Sequence, residues 1–416
     1  MRALQPDAAF PRQGLRLRPA IFLALAWLTA PVSAAQDGGE LFGKPHLNLY
    51  TTIQLDMGYE KNQTADDWFD VMRPTKLPAF EDEFPPDGNF YASVRQTRMG
   101  FKGNWQTRCG EVKTWFEYEL FGSGSNVGET TFRFRHGWAE FCQVGAGQTW
   151  TLFMDSSIFP NVVEKWGPNG IPFFRNVQLR WTPWRDGDSH FAVALERPGA
   201  TRDESDYDEF IQLEGVVGHF RLPDVTAQYR QSTHWGHFQM AALARRIEWQ
   251  NSPNSEFDLD GDVTGWGINF SGSIKMDYTE LNLSATYGEG IQSYMNDAPA
   301  DIGVVENFNN PVTPLTGEPL PMLGLMAYLD IDWNDNWTTS VGWSGLDINN
   351  TDGQLERAYE QGEYASINLL YHPVKSVILG PELIWADREA RDDFRSEDWR
   401  LQFSFKYKFN MDLVGD

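Results

Sequence analysis

After its first 35 residues the chain has no apolar run that could form a membrane-spanning helix. Nowhere does it approach about 18 consecutive apolar residues, and a helix needs roughly 20 to cross a bilayer. From Leu41 onward it also shows no sustained helical periodicity. Bases are scarce, since 34 Lys and Arg stand against 58 Asp and Glu. The formal net charge of −24 argues against a nucleic-acid partner.

The usual catalytic and metal-binding signatures are missing too. There is no HExxH or CxxC spacing, no G-x-S-x-G elbow and no phosphate-binding P-loop, and the seven His residues are scattered. The sequence therefore predicts no cofactor, no resident metal and no enzymatic activity. An outer-membrane hydrolase stays open as an alternative, because distant residues can assemble a Ser–His–acid triad. His136 and His190 are the strand histidines to check for it.

The first 35 residues have the pattern of an export signal. Four arginines precede an apolar run from Ala20 to Ala30, and small residues follow at positions 33–35. The apolar run is too short to span a bilayer as a helix. We expect residues 1–35 to be a cleaved signal peptide and residues 36–47 to form a short N-terminal segment.

Aromatic residues and strict apolar–polar alternation are abundant. The chain holds 28 Phe, 17 Trp and 14 Tyr, yet its mean hydropathy is only −0.46. The clearest alternation lies at 398–409, where Trp399, Phe403 and Phe409 share one face and Arg400 and Lys406 share the other. A membrane barrel turns such an apolar face outward to lipid and the polar face inward to water.

The alternation predicts an all-β fold with 16 antiparallel strands. Short turns alternate with long polar connections, as in a transmembrane β-barrel that has short periplasmic turns and long outer loops. We expect the barrel over 48–409 and a C-terminal tail at 410–416. A large soluble β domain is the alternative. The predicted strands lie near 48–58, 92–104, 110–121, 130–140, 142–149, 174–182, 189–197, 224–231, 235–248, 263–274, 277–288, 323–332, 336–347, 362–371, 374–387 and 397–409.

Several segments resemble the DcaP-like outer-membrane porin family. They are Val94 to Lys102, Glu111 to Thr114, Phe132 to Gly137, Gly147 to Asp155, and Leu222-Pro223-Asp224 with the strand that follows. The resemblance implies a homotrimeric, 16-stranded porin of the bacterial outer membrane, with lipid around it. It also implies a pore that favours small anions, notably dicarboxylates. Two features depart from the family: residues 36–47 are too short for its N-terminal coiled coil, and the chain continues past Phe409.

The third long connection, 150–173, is rich in apolar residues that would be costly on a solvent-facing loop tip. In porins this loop folds into the barrel and narrows the pore. We therefore expect a constriction that carries Trp150, Asp155, Glu164 and Lys165, with Arg175 just beyond. A trimer contact is the alternative role for this loop.

Basic residues on the inward parity of the strands are the predicted pore lining. Rings of Arg and Lys select anions because their charged donors replace the water that the anion loses, and Arg matches a carboxylate with two hydrogen bonds. Three other possibilities remain: these cations could pair with inward glutamates and only brace the wall, the pore could be non-selective, or the lumen could be plugged as in a scaffold barrel. The predicted lining residues are Arg98, Lys102, Arg133, Arg135, Arg180, Arg230 and Arg400.

The chain has only two cysteines, Cys109 and Cys142. They flank the predicted strands 110–121 and 130–140, whose hairpin loop centres near 126. Paired residues of an antiparallel hairpin have a nearly constant index sum, so the two cysteines should face each other at the periplasmic rim. Because export leads to an oxidising compartment, we expect a disulfide between them.

Overall fold

Sixteen antiparallel strands close into one barrel. The computed structural model describes residues 46–85, 87–107, 110–201, 216–251, 253 and 255–414. The first and last strands are hydrogen-bonded along most of their length, from Glu60 opposite Arg400 to Leu47 opposite Val414. The predicted all-β barrel is therefore confirmed. The signal peptide and all but the last two residues of the 36–47 segment lie outside the described residues.

Each predicted strand has a counterpart in the barrel. Two strands are interrupted, β2 at 94–97 and β14 at Leu369. The strand bounds are β1 His46–Glu60, β2 Asn89–Ser93 with Arg98–Gln106, β3 Glu111–Phe121, β4 Thr130–Phe141, β5 Val144–Trp150, β6 Arg175–Asp186, β7 Ser189–Glu196, β8 Asp224–Thr233, β9 Gly236–Gln250, β10 Gly261–Met276, β11 Thr279–Glu289, β12 Pro321–Asn334, β13 Trp337–Ile348, β14 Tyr359–Asn368 with Leu370–Val374, β15 Val377–Ala390 and β16 Arg395–Val414.

The apolar parity of the strands faces outward. On β16, Phe403 and Phe405 are 41% and 43% exposed, whereas the alternating residues Gln402 and Ser404 are fully buried. A water-soluble β domain would bury the aromatic face and expose the polar one. The inverted arrangement is the one that lipid around the barrel requires.

The last strand extends beyond its predicted end. Residues 410–414, which the sequence suggested were part of a tail, continue β16; Asn410 and Met411 pair with Tyr50 and Leu49 of β1. The first strand likewise begins at His46, two residues earlier than expected. The physical reason is that β1 would otherwise present an unpaired edge on this side, and strand edges are stabilised by pairing.

Three long outer connections fold into the barrel: L1 (61–88), L3 (151–174) and L6 (290–320). Ile158 and Ile171 of L3 are buried against Tyr328 of β12 and Tyr364 of β14, and Met72 of L1 joins the same cluster. Ile291 of L6 belongs to a second cluster with residues of β9, β12 and β13. The predicted inward-folded third loop is confirmed, and the interior core is made by loops that pack on the inner wall.

No helix in the described part of the chain is long and apolar enough to cross a bilayer.

Candidate functional site

L3 crosses the lumen and is tied to strands on its far side. The backbone N–H groups of Val163 and Glu164 donate to the carboxylate of Glu382 on β15, at 2.9 and 3.1 Å. The carbonyl of Val163 accepts from the side-chain amides of Gln54 and Gln96, each at 3.1 Å. L3 therefore starts at β5 and is anchored on β1, on the segment between the two parts of β2, and on β15.

Glu164 and Lys165 lie inside this packing. Burial raises the pKa of Glu164 to about 8, and its carboxyl group accepts from the backbone N–H groups of Met72 and Gly167. Lys165 is buried with its Nζ 2.5 Å from Glu119 of β3, and burial holds its pKa well below the usual range. Glu164 thus joins L3 to L1, and Lys165 joins L3 to the wall.

A second brace connects L1, L3 and L6. The Arg73 guanidinium of L1 lies 4.1 Å from the ring centroid of Trp68 and 4.3 Å from that of Trp166. Its Nη2 donates at 2.7 Å to Asp297 of L6, whose side chain is fully buried. Asn296 of L6 donates to the Trp166 carbonyl at 2.6 Å. The sequence did not indicate that L6 takes part in this packing. Asn296 is 130 residues from Trp166 and Asp297 is 224 residues from Arg73 along the chain.

A cluster of basic side chains lines the wall beside L3. Arg98, Glu119 and Arg133 occupy one row across β2, β3 and β4, and Arg135 binds both Glu117 and Glu119 at 2.5 Å. With Lys165 and Arg175, five cations surround two carboxylates. Within the described residues no carboxylate forms an ion pair with Arg98 or Arg175, and each has a buried nitrogen without a hydrogen-bond partner. Counting every Arg and Lys as protonated, the cluster has a formal excess of three positive charges.

A β-bulge at Arg135 shapes this wall. Glu117 lies opposite His136 and Tyr118 lies opposite Phe134, so Arg135 is an extra residue on β4. Arg135 and His136 are consecutive, yet both are buried inside the barrel. Below the bulge the inward parity shifts by one residue, an effect that alternation in the sequence does not reveal.

Two basic cavities lie beside L3, one against β4 to β6 and the other against strands from β3 to β9. The cavity toward the outer loops has a volume of about 270 Å³ and is lined by Arg133, Arg135, Lys165 and Arg175. The cavity toward the periplasmic turns has about 510 Å³ and is lined by Arg180, Arg185 and Arg230. Most of the predicted lining and constriction residues are therefore brought together around these two spaces.

The remaining predicted residues have different surroundings. Lys102 is exposed, with its Nζ 4.8 Å from the Trp115 ring centroid. Arg98 lies in the row with Glu119 and Arg133 but lines neither of the two cavities. Arg400 differs from the prediction: it is fully buried, binds the Glu60 carboxylate and stacks on Tyr91. Because L1 covers it, Arg400 braces the wall and does not line open space.

Asp155 anchors the start of L3. Its carboxylate contacts His237 at 2.7 Å and Arg230 at 3.0 Å, and accepts from the hydroxyl of Ser157 at 2.6 Å. Burial alone would raise its pKa, but the contacts with His237 and Arg230 lower the pKa of Asp155 to about 2. Asp155 therefore stays ionised and fastens L3 to β8 and β9.

The Asp155–His237–Ser157 group does not have the geometry of a hydrolytic triad. In a triad the hydroxyl and the carboxylate contact opposite nitrogens of the imidazole. Here Asp155 and Ser157 both contact Nε2, and Nδ1 faces Ser273, which is 1% exposed. This arrangement fits a structural anchor for L3 and gives no support to the hydrolase alternative.

Cys142 lies at the base of the β3–β4 hairpin, directly after Phe141, the last residue of β4. Val112 pairs with Phe141, so the hairpin has nearly the expected register. Cys142 is disulfide-bonded. Cys109 lies outside the described residues, and its pairing with Cys142 stays a prediction.

Comparisons with known proteins agree with this architecture. The family model of the DcaP outer membrane protein matches residues 46–241. The outer membrane channel DcaP of Acinetobacter baumannii has a similar structure, with a TM-score of 0.72 at 23% identity over 88% of this chain and 98% of that one. A comparison with curated proteins finds no match.

Two further porins share the fold at lower identity. The anion-selective porin from Comamonas acidovorans has a TM-score of 0.55 at 9% identity, over 88% of this chain and 100% of that one. OmpT of Vibrio cholerae, in its trimer form, has a TM-score of 0.53 at 10% identity over the same shares. At these identities the likeness concerns the fold alone.

Proposed function

Because residues 46–241 belong to the DcaP outer membrane protein family and the chain forms a porin barrel of the bacterial outer membrane, we propose that the protein is a passive channel that favours small anions such as dicarboxylates. The observation that carries the proposal is the excess of three positive charges beside L3. Arg133 and Arg175 support it most directly, because both line the outer cavity and carry the charged donors that suit an oxyanion.

The basic residues have two different roles: some brace the wall, and others attract anions. Arg135 and Arg400 are engaged with buried carboxylates and stabilise the wall. Arg133 is 27% exposed and 3.5 Å from Glu119, so it keeps access to the lumen. The braces orient the wall, and the accessible cations provide the field that attracts anions.

A non-selective general porin is the second candidate. The acidic outer loops favour it: residues 61–90 hold seven acids and three bases. We place more weight on the charges at the constriction, since the local field at the narrowest point decides selectivity.

The remaining features of the proposal concern assembly and export. We infer that the protein is a homotrimer surrounded by outer-membrane lipid. The outward apolar faces support the contact with lipid. OmpT, which shares this fold and has a trimer form, supports the trimer. Residues 1–35 are proposed to direct export and then be removed.

Reversal potentials under a KCl gradient in planar bilayers test the function. The wild type is expected to prefer chloride. The Arg133→Gln/Arg175→Gln variant is expected to lose most of that preference, because two accessible charges of the cluster are removed while Arg135 keeps its bonds to Glu117 and Glu119.

Arg395→Gln is the matched control, since Arg395 is exposed and pairs with the Glu389 carboxylate at the outer rim, away from L3. It should leave the reversal potential unchanged. A wild type that prefers potassium would contradict anion selectivity and favour the general porin.

A further inference from the structure

We propose that the indole ring of Trp150 separates the two basic cavities and sets the size of the largest anion that passes between them. The inference rests on the proposed channel function and assigns one side chain as the size-determining element. Trp150 is the last residue of β5, at the point where L3 leaves the wall.

Side chains of the outer cavity surround the ring on one side. The guanidinium carbon of Arg175 lies 4.7 Å from the ring centroid, and that of Arg135 lies 5.6 Å away. The ring of Phe173 is 4.9 Å from it, centroid to centroid. Arg135, Phe173 and Arg175 all line the cavity toward the outer loops. The indole therefore packs directly behind three residues that line that cavity.

Trp150 itself lines the other cavity. It contributes to the space toward the periplasmic turns together with Arg180. Its backbone carbonyl accepts from Arg180 Nη2 at 2.7 Å and from Gln178 Nε2 at 2.9 Å. Trp150 thus lines one cavity and packs against residues that line the other, and this double contact is the reason for placing its ring between them.

Neighbouring rings limit the movement of the indole. His136 packs edge-on against Trp150 at 5.0 Å; it also stacks in parallel on Trp115 at 3.6 Å and lies 3.1 Å from the Thr149 hydroxyl through Nδ1. The backbone of Trp150 is paired with Arg175 on β6. Because the ring is held by cations, by rings and by the strand register, it acts as a fixed partition.

The chemistry of an indole suits this role in a basic channel. Its face carries partial negative charge, which attracts the guanidinium groups around it and offers no binding to an anion. Arg175 and Arg180 are five residues apart on β6, roughly 16 Å along the strand. An anion therefore passes from one cation to the next around the ring, and the gap that the ring leaves limits its size.

Bi-ionic potentials with KCl on one side and potassium gluconate on the other test the proposal. Chloride is small and gluconate is a bulky carboxylate. Trp150→Ala is expected to raise the gluconate-to-chloride permeability ratio severalfold and to increase single-channel conductance. Trp150→Phe, which keeps a smaller ring, should give an intermediate ratio and serves if the alanine variant fails to fold.

Trp181→Ala is the matched control, since Trp181 lies on β6 and is 53% exposed on the outer face. It should leave both quantities unchanged. A wild type that prefers chloride, combined with an unchanged ratio in Trp150→Ala or Trp150→Phe, would overturn the partition while leaving the channel function intact. A wild type without chloride preference would instead overturn the function on which the inference rests.

Discussion

Two kinds of arginine that look alike in sequence have different roles in the barrel. Arg175 keeps a buried nitrogen without a partner beside the outer cavity. Arg400 has inward parity, as expected, but is fully buried in an ion pair with Glu60 and also donates to the Phe69 carbonyl at 3.1 Å. Parity tells which side of the wall a residue faces, and burial decides whether a solute reaches it.

Replacement of Arg400 tests this distinction at the residue scale. Arg400→Gln should destabilise the folded barrel by about 3–5 kcal/mol, because loss of one partner leaves the buried Glu60 carboxylate uncompensated. The chloride preference of the channels that do fold should match the wild type. Denaturant unfolding followed on gels and reversal potentials measure the two effects.

Glu60→Gln provides the reciprocal variant, since it removes the other member of the same pair. Both variants should lose stability and keep selectivity. A large drop in chloride preference in Arg400→Gln, without a loss of stability, would return Arg400 to the pore lining.

At the scale of elements, the constriction is an assembly of three loops and one bulged strand. L3 carries Lys165, L6 holds Trp166 through Asn296, and L1 places Arg73 between Trp68 and Trp166. The bulge in β4 turns Arg135 toward Glu117 and Glu119. Each element limits the freedom of the next, so the basic cluster is positioned by packing.

The extension of β16 makes an element-scale prediction. Deleting residues 410–416 should destabilise the barrel by on the order of 2–5 kcal/mol, because Leu47 to Tyr50 lose their hydrogen-bonded partners on β16. Denaturant unfolding of the refolded protein measures the loss.

Deleting only 415–416, which lie beyond the strand, is the control and should have no effect. If the longer deletion unfolds at the wild-type denaturant concentration, the pairing beyond Phe409 contributes nothing, and the segment behaves as the free tail that the sequence suggested.

At the scale of the whole molecule, acidic outer loops coexist with a basic cluster beside L3. The formal charge of −24 is the sum over the chain, whereas the cluster beside L3 is positive. Glu81, Asp82 and Asp87 of L1 are exposed acids at the outer mouth. Changing the salt concentration can distinguish the effect of the loop acids from that of the cluster beside L3. Salt screens the exposed loop charges, because the Debye length is about 10 Å at 0.1 M salt and about 3 Å at 1 M.

Neutralising the exposed acids at the outer mouth is expected to change chloride conductance in a salt-dependent way. The triple variant Glu81→Gln/Asp82→Asn/Asp87→Asn should conduct chloride better than the wild type when about 0.1 M KCl bathes the outer side, and equally well at about 1 M, where the loop charges are screened. Single-channel conductance in asymmetric bilayers measures this.

Asp277→Asn/Asp335→Asn neutralises two exposed acids in periplasmic turns and should not respond to salt on the outer side. A change in ion selectivity of the triple variant at about 1 M KCl would mean that the loops, and not the constriction, set selectivity.

The barrel itself could be predicted from the sequence because the pattern that produces it lies within short stretches of the chain. A strand in lipid must alternate apolar and polar residues, and turns must alternate with long loops, so the sixteen strands, their order and the inward L3 were all predicted correctly. The basic residues of the wall were found for the same reason, since Arg98 and Arg133 follow the parity of their strands.

Tertiary structure alone decided which of these residues remain accessible. The bulge at Arg135, the burial of Arg400 under L1, the contribution of L6 and the contacts of Trp150 with residues of two cavities were not visible in the sequence. Such contacts leave no periodic signal in sequence, because they arise from the packing of loops on the inner wall. The sequence determined that this chain makes a barrel whose strands turn several basic residues inward, and loop packing decided which of those charges border the cavities beside L3.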